Sequence, residues 1–204
     1  MSRSYHKLKL GIISFPLVVI FLLTSGCYNR QIFHLYDLPK PSGSHTIGTI
    51  QFDWVHTDFI DLFDQETEKK RRIMVQLWYP GQINEKLEPF LYSNDSIVVK
   101  ALSEEYNISP TLLKKSENIK TNSYYDLVPV MNKDLYPLII FSHGKGGYAK
   151  QNTVQFEELV SNGYIVASID HSYDALITLF SDGSTAPYVS DNPKKVGGKI
   201  NSDK

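Results

Sequence analysis

Cysteine is nearly absent. Cys27 stands alone in 204 residues, so no disulfide can form within the chain. Excess charge is missing too: 21 Lys and Arg face 22 Asp and Glu, a formal net charge of -1. Without a basic stripe, nucleic acid is not an expected partner. No apolar run reaches the ~20 residues that a membrane-spanning helix needs. The spacing Gly-x-x-x-x-Gly-Lys-Ser/Thr does not occur, so Gly144-Lys145-Gly146-Gly147 is no P-loop. Asp61, Asp64, Glu66 and Glu68 lack the glycine and final acid of an EF-hand, and read as a solvated loop. No cofactor or metal is expected. Repeats and low-complexity tracts are absent as well. What the chain does have is aromatic residues, 13 Tyr and 10 Phe, enough to argue for a packed core over disorder.

The first residues carry a different signal. Arg3, His6, Lys7 and Lys9 precede an apolar run from Leu10 to Leu23. A positive start before a short apolar run reads as a secretory signal. Leu22-Leu23-Thr24-Ser25-Gly26-Cys27 follows, and small residues just before a cysteine resemble the lipobox of bacterial lipoproteins. That resemblance implies cleavage before Cys27 and its acylation. The alternative is an uncleaved signal anchor with an incidental cysteine. Either way the remainder is expected in the cell envelope, membrane-attached and facing away from the cytoplasm. Residues 1–27 are thus signal and anchor. Residues 28–45 read as a tether, punctuated by Pro39, Pro41 and Gly43. A domain is expected over 46–204.

Within that domain, 46–54 is β-rich, and Arg72 to Trp78 alternates apolar and polar with a strand's period. A charged loop joins them, which predicts an antiparallel pair ending at Pro80-Gly81. Ile97, Val98, Ala101, Leu102 and Tyr106 recur at helical spacing, with Ser93, Asn94 or Asp95 as cap. Ser109-Pro110 opens a second short helix, and 121–134 reads as an extended connection. Leu138-Ile139-Ile140-Phe141 is a continuous apolar run, expected for a parallel strand covered on both faces. A glycine-rich turn follows, then a helix over Thr153–Ser161, then Asn162-Gly163. Tyr164 to Ile169 is the next buried strand. Together these make a β-α-β crossover. Beyond Asp170 turns dominate, and no further strand is expected.

The turn Ser142-His143-Gly144-Lys145-Gly146-Gly147 falls at a strand's carboxyl end, where open α/β sheets bind ligands. Its glycines let the backbone approach a ligand closely, and exposed N–H groups there can stabilise an oxyanion. The run Tyr136 to Gly144, the helix and Asn162-Gly163-Tyr164-Ile165-Val166 after it, Asp170-His171, and the upstream block Arg72 to Pro80 resemble the platelet-activating-factor acetylhydrolases. The resemblance covers roughly Thr46 to Asp182. It implies an α/β-hydrolase fold, here the N-terminal half of the sheet. It implies a serine esterase removing short acyl chains from phospholipids of the 1-alkyl-2-acetylglycerophosphocholine type, or from another short-acyl ester. It places one oxyanion donor at the backbone N–H of Lys145, and gives His143 the role of holding the turn with Gly144, Gly146 and Gly147.

One element of the pattern is missing. The nucleophile should sit in a Gly-x-Ser-x-Gly elbow, with the acid and histidine after it in the chain. No such motif occurs, so Ser, Asp and His are expected beyond Lys204, and these 204 residues alone are expected to be inactive. Asp170, His171, Ser172 and Asp174 cluster in sequence, but neighbours on a strand point to opposite faces. The rival readings are a non-catalytic lipoprotein that binds a ligand or partner, and one half of a split hydrolase.

Overall fold

The computed structural model describes residues 37–189, apart from 62, 64–69, 85, 94 and 132–134. Cys27 and the segment read as a signal lie outside the described residues.

Strand β1 (Thr46–Ile60) and strand β2 (Lys70–Gln82) form a long antiparallel hairpin. Both strands extend beyond their apolar alternation, and β2 continues through Pro80-Gly81. Proline has no N–H for the ladder, yet Pro80 still pairs opposite Ile47, and its carbonyl accepts from Val130 N–H at 2.9 Å. Helix α1 (Ser96–Tyr106) is capped by Asp95, whose carboxylate accepts from Ile97 N–H at 2.8 Å. It ends at Asn107 in the left-handed conformation, φ 50°. The short α2 (Pro110–Leu113) runs into a 3₁₀ turn, Lys114–Asn118. The connection after it is not wholly irregular. It carries β3 (Ser123–Tyr125), parallel to β1, and β4 (Val128–Pro129), antiparallel to β2.

Strand β5 (Leu138–Ser142), helix α3 (Thr153–Ser161) and strand β6 (Ile165–His171) form the crossover, with β5 and β6 parallel in one sheet. Gly163 takes φ 89° between α3 and β6. The sheet order is β3-β1-β2-β6-β5. A second hairpin, β7 (Ile177–Leu179) and β8 (Thr185–Pro187), follows where only turns were expected. Each of its strands is three residues long, too short to show a period.

Register assigns side chains to faces, because residues paired across strands share a face and successive residues alternate. One face carries Ile47, Trp78, Val166 and Phe141. Helix α3 packs on it through Phe156 and Val160, with Phe156 5.0 Å from the Trp78 ring and 5.1 Å from the Phe141 ring. Burying a large aromatic this way contributes several kcal/mol. Further along the same face Met74 packs against Phe180 and Ala186, in and beside the second hairpin. The opposite face carries Phe52 and Trp54 on β1, Ile73, Val75 and Leu77 on β2, Ala167, Ile169 and His171 on β6, and Leu138, Ile140 and Ser142 on β5. Its flanks are open. Trp54 is 52% exposed, Leu138 57% and Ile140 65%. The run Leu138–Phe141 is therefore covered on one face, not on both. It is apolar throughout, but among the described residues β5 is the sheet's last strand and only its α3 side is packed.

Residues 37–45, read as a tether, are docked on the domain. Ser42 N–H donates to Glu158 Oε2 at 2.8 Å, and Gly43 N–H to Ser161 Oγ at 3.0 Å. His45 N–H reaches Ser161 O at 3.0 Å, and Leu38 N–H reaches Lys120 O at 3.1 Å. Gly43 lies so near the end of α3 that a Cβ there would sit 2.1 Å from Ser161 O. Only glycine fits that approach.

Candidate active site

The glycine turn leaves β5 at the carboxyl edge of the β5–α3–β6 unit. Gly146 adopts φ 70°, a backbone state glycine reaches without penalty. Its N–H donates to Asp174 O at 2.9 Å, and Gly147 N–H donates to Gly144 O at 2.8 Å. Leu176 N–H returns to Gly147 O at 2.8 Å. The second half of the turn is thus tied down on both sides, and Gly144 and Lys145 form its exposed tip.

His143 is buried and fixes the base of the turn. Its Nδ1 donates to Gly144 O at 2.8 Å, and its Nε2 accepts from His171 N–H at 3.2 Å. That pattern is the neutral Nδ1–H tautomer, assigned from the hydrogen bonds. The two histidine rings stand edge to face, 5.3 Å apart. With both nitrogens engaged in holding backbone, His143 has no lone pair to offer a substrate.

The sequence cluster at 170–174 separates in space. Asp170 faces the covered side, where its Oδ1 accepts from Ala149 N–H at 2.6 Å. Burial pushes the Asp170 carboxyl up to about 6, against the lowering effects of that hydrogen bond, His143 and Lys150. His171 faces the other side, and Ser172 donates to Arg72 O. What sequence reading missed is the partner His171 finds there: Ser142 Oγ, 2.7 Å from His171 Nε2. Strand parity held the clue. Ser142 pairs with Ile169, so His171 lies on the same face one pair further on.

Next to the turn, on the covered side, a cavity of about 290 Å³ opens between the sheet, α1 and β7. Tyr92, Tyr148, Lys150 and Asp170 are among its polar lining, Val98 and Leu102 among its apolar lining. The Tyr92 and Tyr148 hydroxyls are 2.9 Å apart, and burial raises the pKa of both. Burial likewise lowers Lys150, whose ammonium stands 5.1 Å over the Phe90 ring. Ser93 Oγ, in the cavity wall, is buried without a hydrogen-bond partner. Asp53 and Ser181 also line the cavity: Arg72 Nε meets Asp53 Oδ1 at 2.7 Å, and Ser181 N–H donates to Asp53 at 3.0 Å. The Arg72 hydrogen bond leads in holding the Asp53 carboxyl at about 2.

This arrangement of sheet, crossover and glycine turn has a match in sequence space. The family model for platelet-activating factor acetylhydrolase, isoform II, matches residues 31–197. The chain belongs to this family. Among its relatives is the platelet-activating factor acetylhydrolase of Cavia porcellus, 27% identical over 138 residues, which are 66% of this chain and 28% of that protein. The Canis lupus familiaris enzyme of the same name is 24% identical over 137 residues, again 66% and 28%. The match therefore takes in under a third of each relative's length. Among solved structures, a ferulic acid esterase from Streptomyces cinnamoneus superposes with a TM-score of 0.60 at 23% identity, covering 75% of this chain and 41% of that one. At that identity the likeness concerns the fold, a partial α/β-hydrolase sheet. Among the described residues no helix is long and apolar enough to cross a membrane.

Proposed function

We propose that this chain is the oxyanion-bearing part of a carboxylic ester hydrolase acting on short-acyl phospholipids or similar esters. The observation that carries the reading is the glycine turn at the carboxyl edge of the crossover, inside the region the family model matches. In this reading Lys145 N–H donates to the developing oxyanion, and Gly144, Gly146 and Gly147 let the turn approach the carbonyl. His143 holds the turn's base. The cavity beside it receives part of the substrate. The nucleophilic serine of an elbow, its histidine and its acid come from polypeptide outside these 204 residues, so the chain alone sustains no turnover.

The test is to co-express the chain with the polypeptide encoded downstream, then assay hydrolysis of a short-acyl phospholipid. Turnover is expected only with both parts. Lys145→Ala should leave it intact, because the backbone donates. Lys145→Pro, which removes that N–H, should lower kcat about 10²–10³-fold. Equal losses from both substitutions would overturn the role given to the backbone.

A second reading, that the chain is one half of a split hydrolase or binds a partner without catalysis, is favoured by the open apolar flanks of one sheet face. It predicts a stable complex with that polypeptide, detectable by co-purification. We also propose that Cys27 is acylated and anchors the chain in the cell envelope. Cys27→Ser should abolish fatty-acid labelling and release the chain from membranes, and labelling that persists would sink the idea.

A further inference from the structure

We infer that Ser142 is a nucleophile in its own right, activated by His171 and open to acylation by activated carboxylic esters. This site is separate from the elbow serine of the proposed reaction, and its test does not depend on that reading.

The geometry is that of a nucleophile and its base. Ser142 Oγ lies 2.7 Å from His171 Nε2, within the reach that proton transfer requires. The contact follows from register. Ser142 opposes Ile169 in the parallel ladder, and His171, two residues on, projects from the same face. That face is open at β5, and Ser142 is exposed. The base does not wander. Its backbone N–H donates to His143 Nε2 at 3.2 Å, and its ring leans edge to face on the His143 ring. The backbone anchor and the ring contact keep the imidazole beside the hydroxyl it would deprotonate. The turn built to stabilise negative oxygen begins at the very next residue.

The groups around His171 suit a base at neutral pH. His143 faces it from the turn, Arg71 from β2, and Asp174 from the loop after β6. Burial leads in lowering its pKa and the Arg71 charge adds to it, while Asp174 opposes them. The ring is therefore neutral at pH 7 and can accept the serine proton.

The step balances without any other reagent. Ser142 Oγ attacks the carbonyl carbon of p-nitrophenyl acetate while its proton passes to His171 Nε2. The tetrahedral adduct collapses, the bond to p-nitrophenolate breaks, and the acetyl group stays on Ser142. His171 then gives its proton to water. A phosphonofluoridate would react alike, forming an O–P bond and releasing fluoride.

The experiment uses the 204-residue chain, reacted with p-nitrophenyl acetate and analysed by intact mass and peptide mapping. One acetyl group is expected, on Ser142, at a rate at least tenfold above that at Ser109, an exposed serine. The rate should rise with pH through a single ionisation below the ordinary histidine range. His171→Gln should slow it about 100-fold, the contribution of a positioned general base. Ser142→Cys should still be acetylated at position 142, which guards against loss of the site through misfolding, and a biotinylated fluorophosphonate should label the wild-type chain at Ser142. Acetylation of Ser142 no faster than of Ser109, or a rate untouched by His171→Gln, would overturn the inference. Labelling without sustained turnover supports it and leaves the elbow-serine reading intact.

Discussion

The two faces of the central sheet differ more than any two other regions of the molecule. On one, Trp78, Phe141 and Val166 meet Phe156 and Val160 of α3, and the side chains interlock. On the other, equally apolar residues line up in the same strands, yet Trp54, Leu138 and Ile140 remain more than half exposed. Their composition is alike, so hydrophobicity alone does not say which face is packed. What separates their flanks is that, among the described residues, α3 packs on one face while Trp54, Leu138 and Ile140 on the other stay exposed. The face under α3 is packed across its width, whereas the other is buried at its centre, where Val75 is 1% exposed, and open only at its flanks.

The comparison can be broken at several points. The largest effect is expected for Phe156→Ala, which should lower unfolding free energy by about 3–5 kcal/mol in urea titrations. A loss below about 1 kcal/mol would mean that α3 does not anchor the sheet.

Two carboxylates of the covered face should give opposite pH responses. Asp53, held at about 2 by Arg72, stabilises the fold above the unfolded value, and that contribution is lost as pH falls through 2. Asp170, raised to about 6 by burial, does the reverse. The fold is favoured while Asp170 is protonated, and stability declines as pH rises from about 4 to 6, by up to about 3 kcal/mol. Asp170→Asn keeps an acceptor for Ala149 N–H. It should flatten that decline and raise Tm at pH 8. A pH profile unchanged by the substitution would count against the burial assigned to this carboxyl.

A smaller effect, about 1–3 kcal/mol, is expected for Gly43→Ala, since the added Cβ would collide with Ser161 O. Hydrogen exchange should show residues 37–45 released while the sheet stays protected. The smallest effect belongs to the open face. Trp54→Ser and Ile140→Ser should change stability by less than about 0.5 kcal/mol, far below Phe156→Ala. If either costs as much as Phe156→Ala, the face is not open.

How much of this was readable beforehand follows the same division. The β5–α3–β6 crossover was legible because its apolar runs are long and its helix has one apolar stripe. The left-handed Gly163 was legible because it depends on local backbone chemistry, and the cap was narrowed to Ser93, Asn94 or Asp95, of which the structure uses Asp95. The β7–β8 hairpin was not, since six residues in two short strands show no periodicity. Nor was the docking of 37–45, because Pro39, Pro41 and Gly43 suit an ordered close approach as well as a loose linker. At the site, the glycine turn could be read from its residue types alone. The Ser142–His171 pair could not, as two residues 29 apart in sequence meet only once the register of two strands is known.

Strand order has a consequence for how the chain assembles. Strand β2 lies at the middle of the sheet, with β6 beside it, and Ile73 opposes His171 about 100 residues later. The β1–β2 hairpin closes a short loop, but its inner edge stays unsatisfied until β6 has been made. Closing so long a loop costs entropy before any contact rewards it. During synthesis the hairpin therefore waits with an unpaired edge, and the commitment to fold comes late, when residues 165–171 leave the ribosome. A slow, concentration-sensitive refolding phase is the expected kinetic trace of that wait.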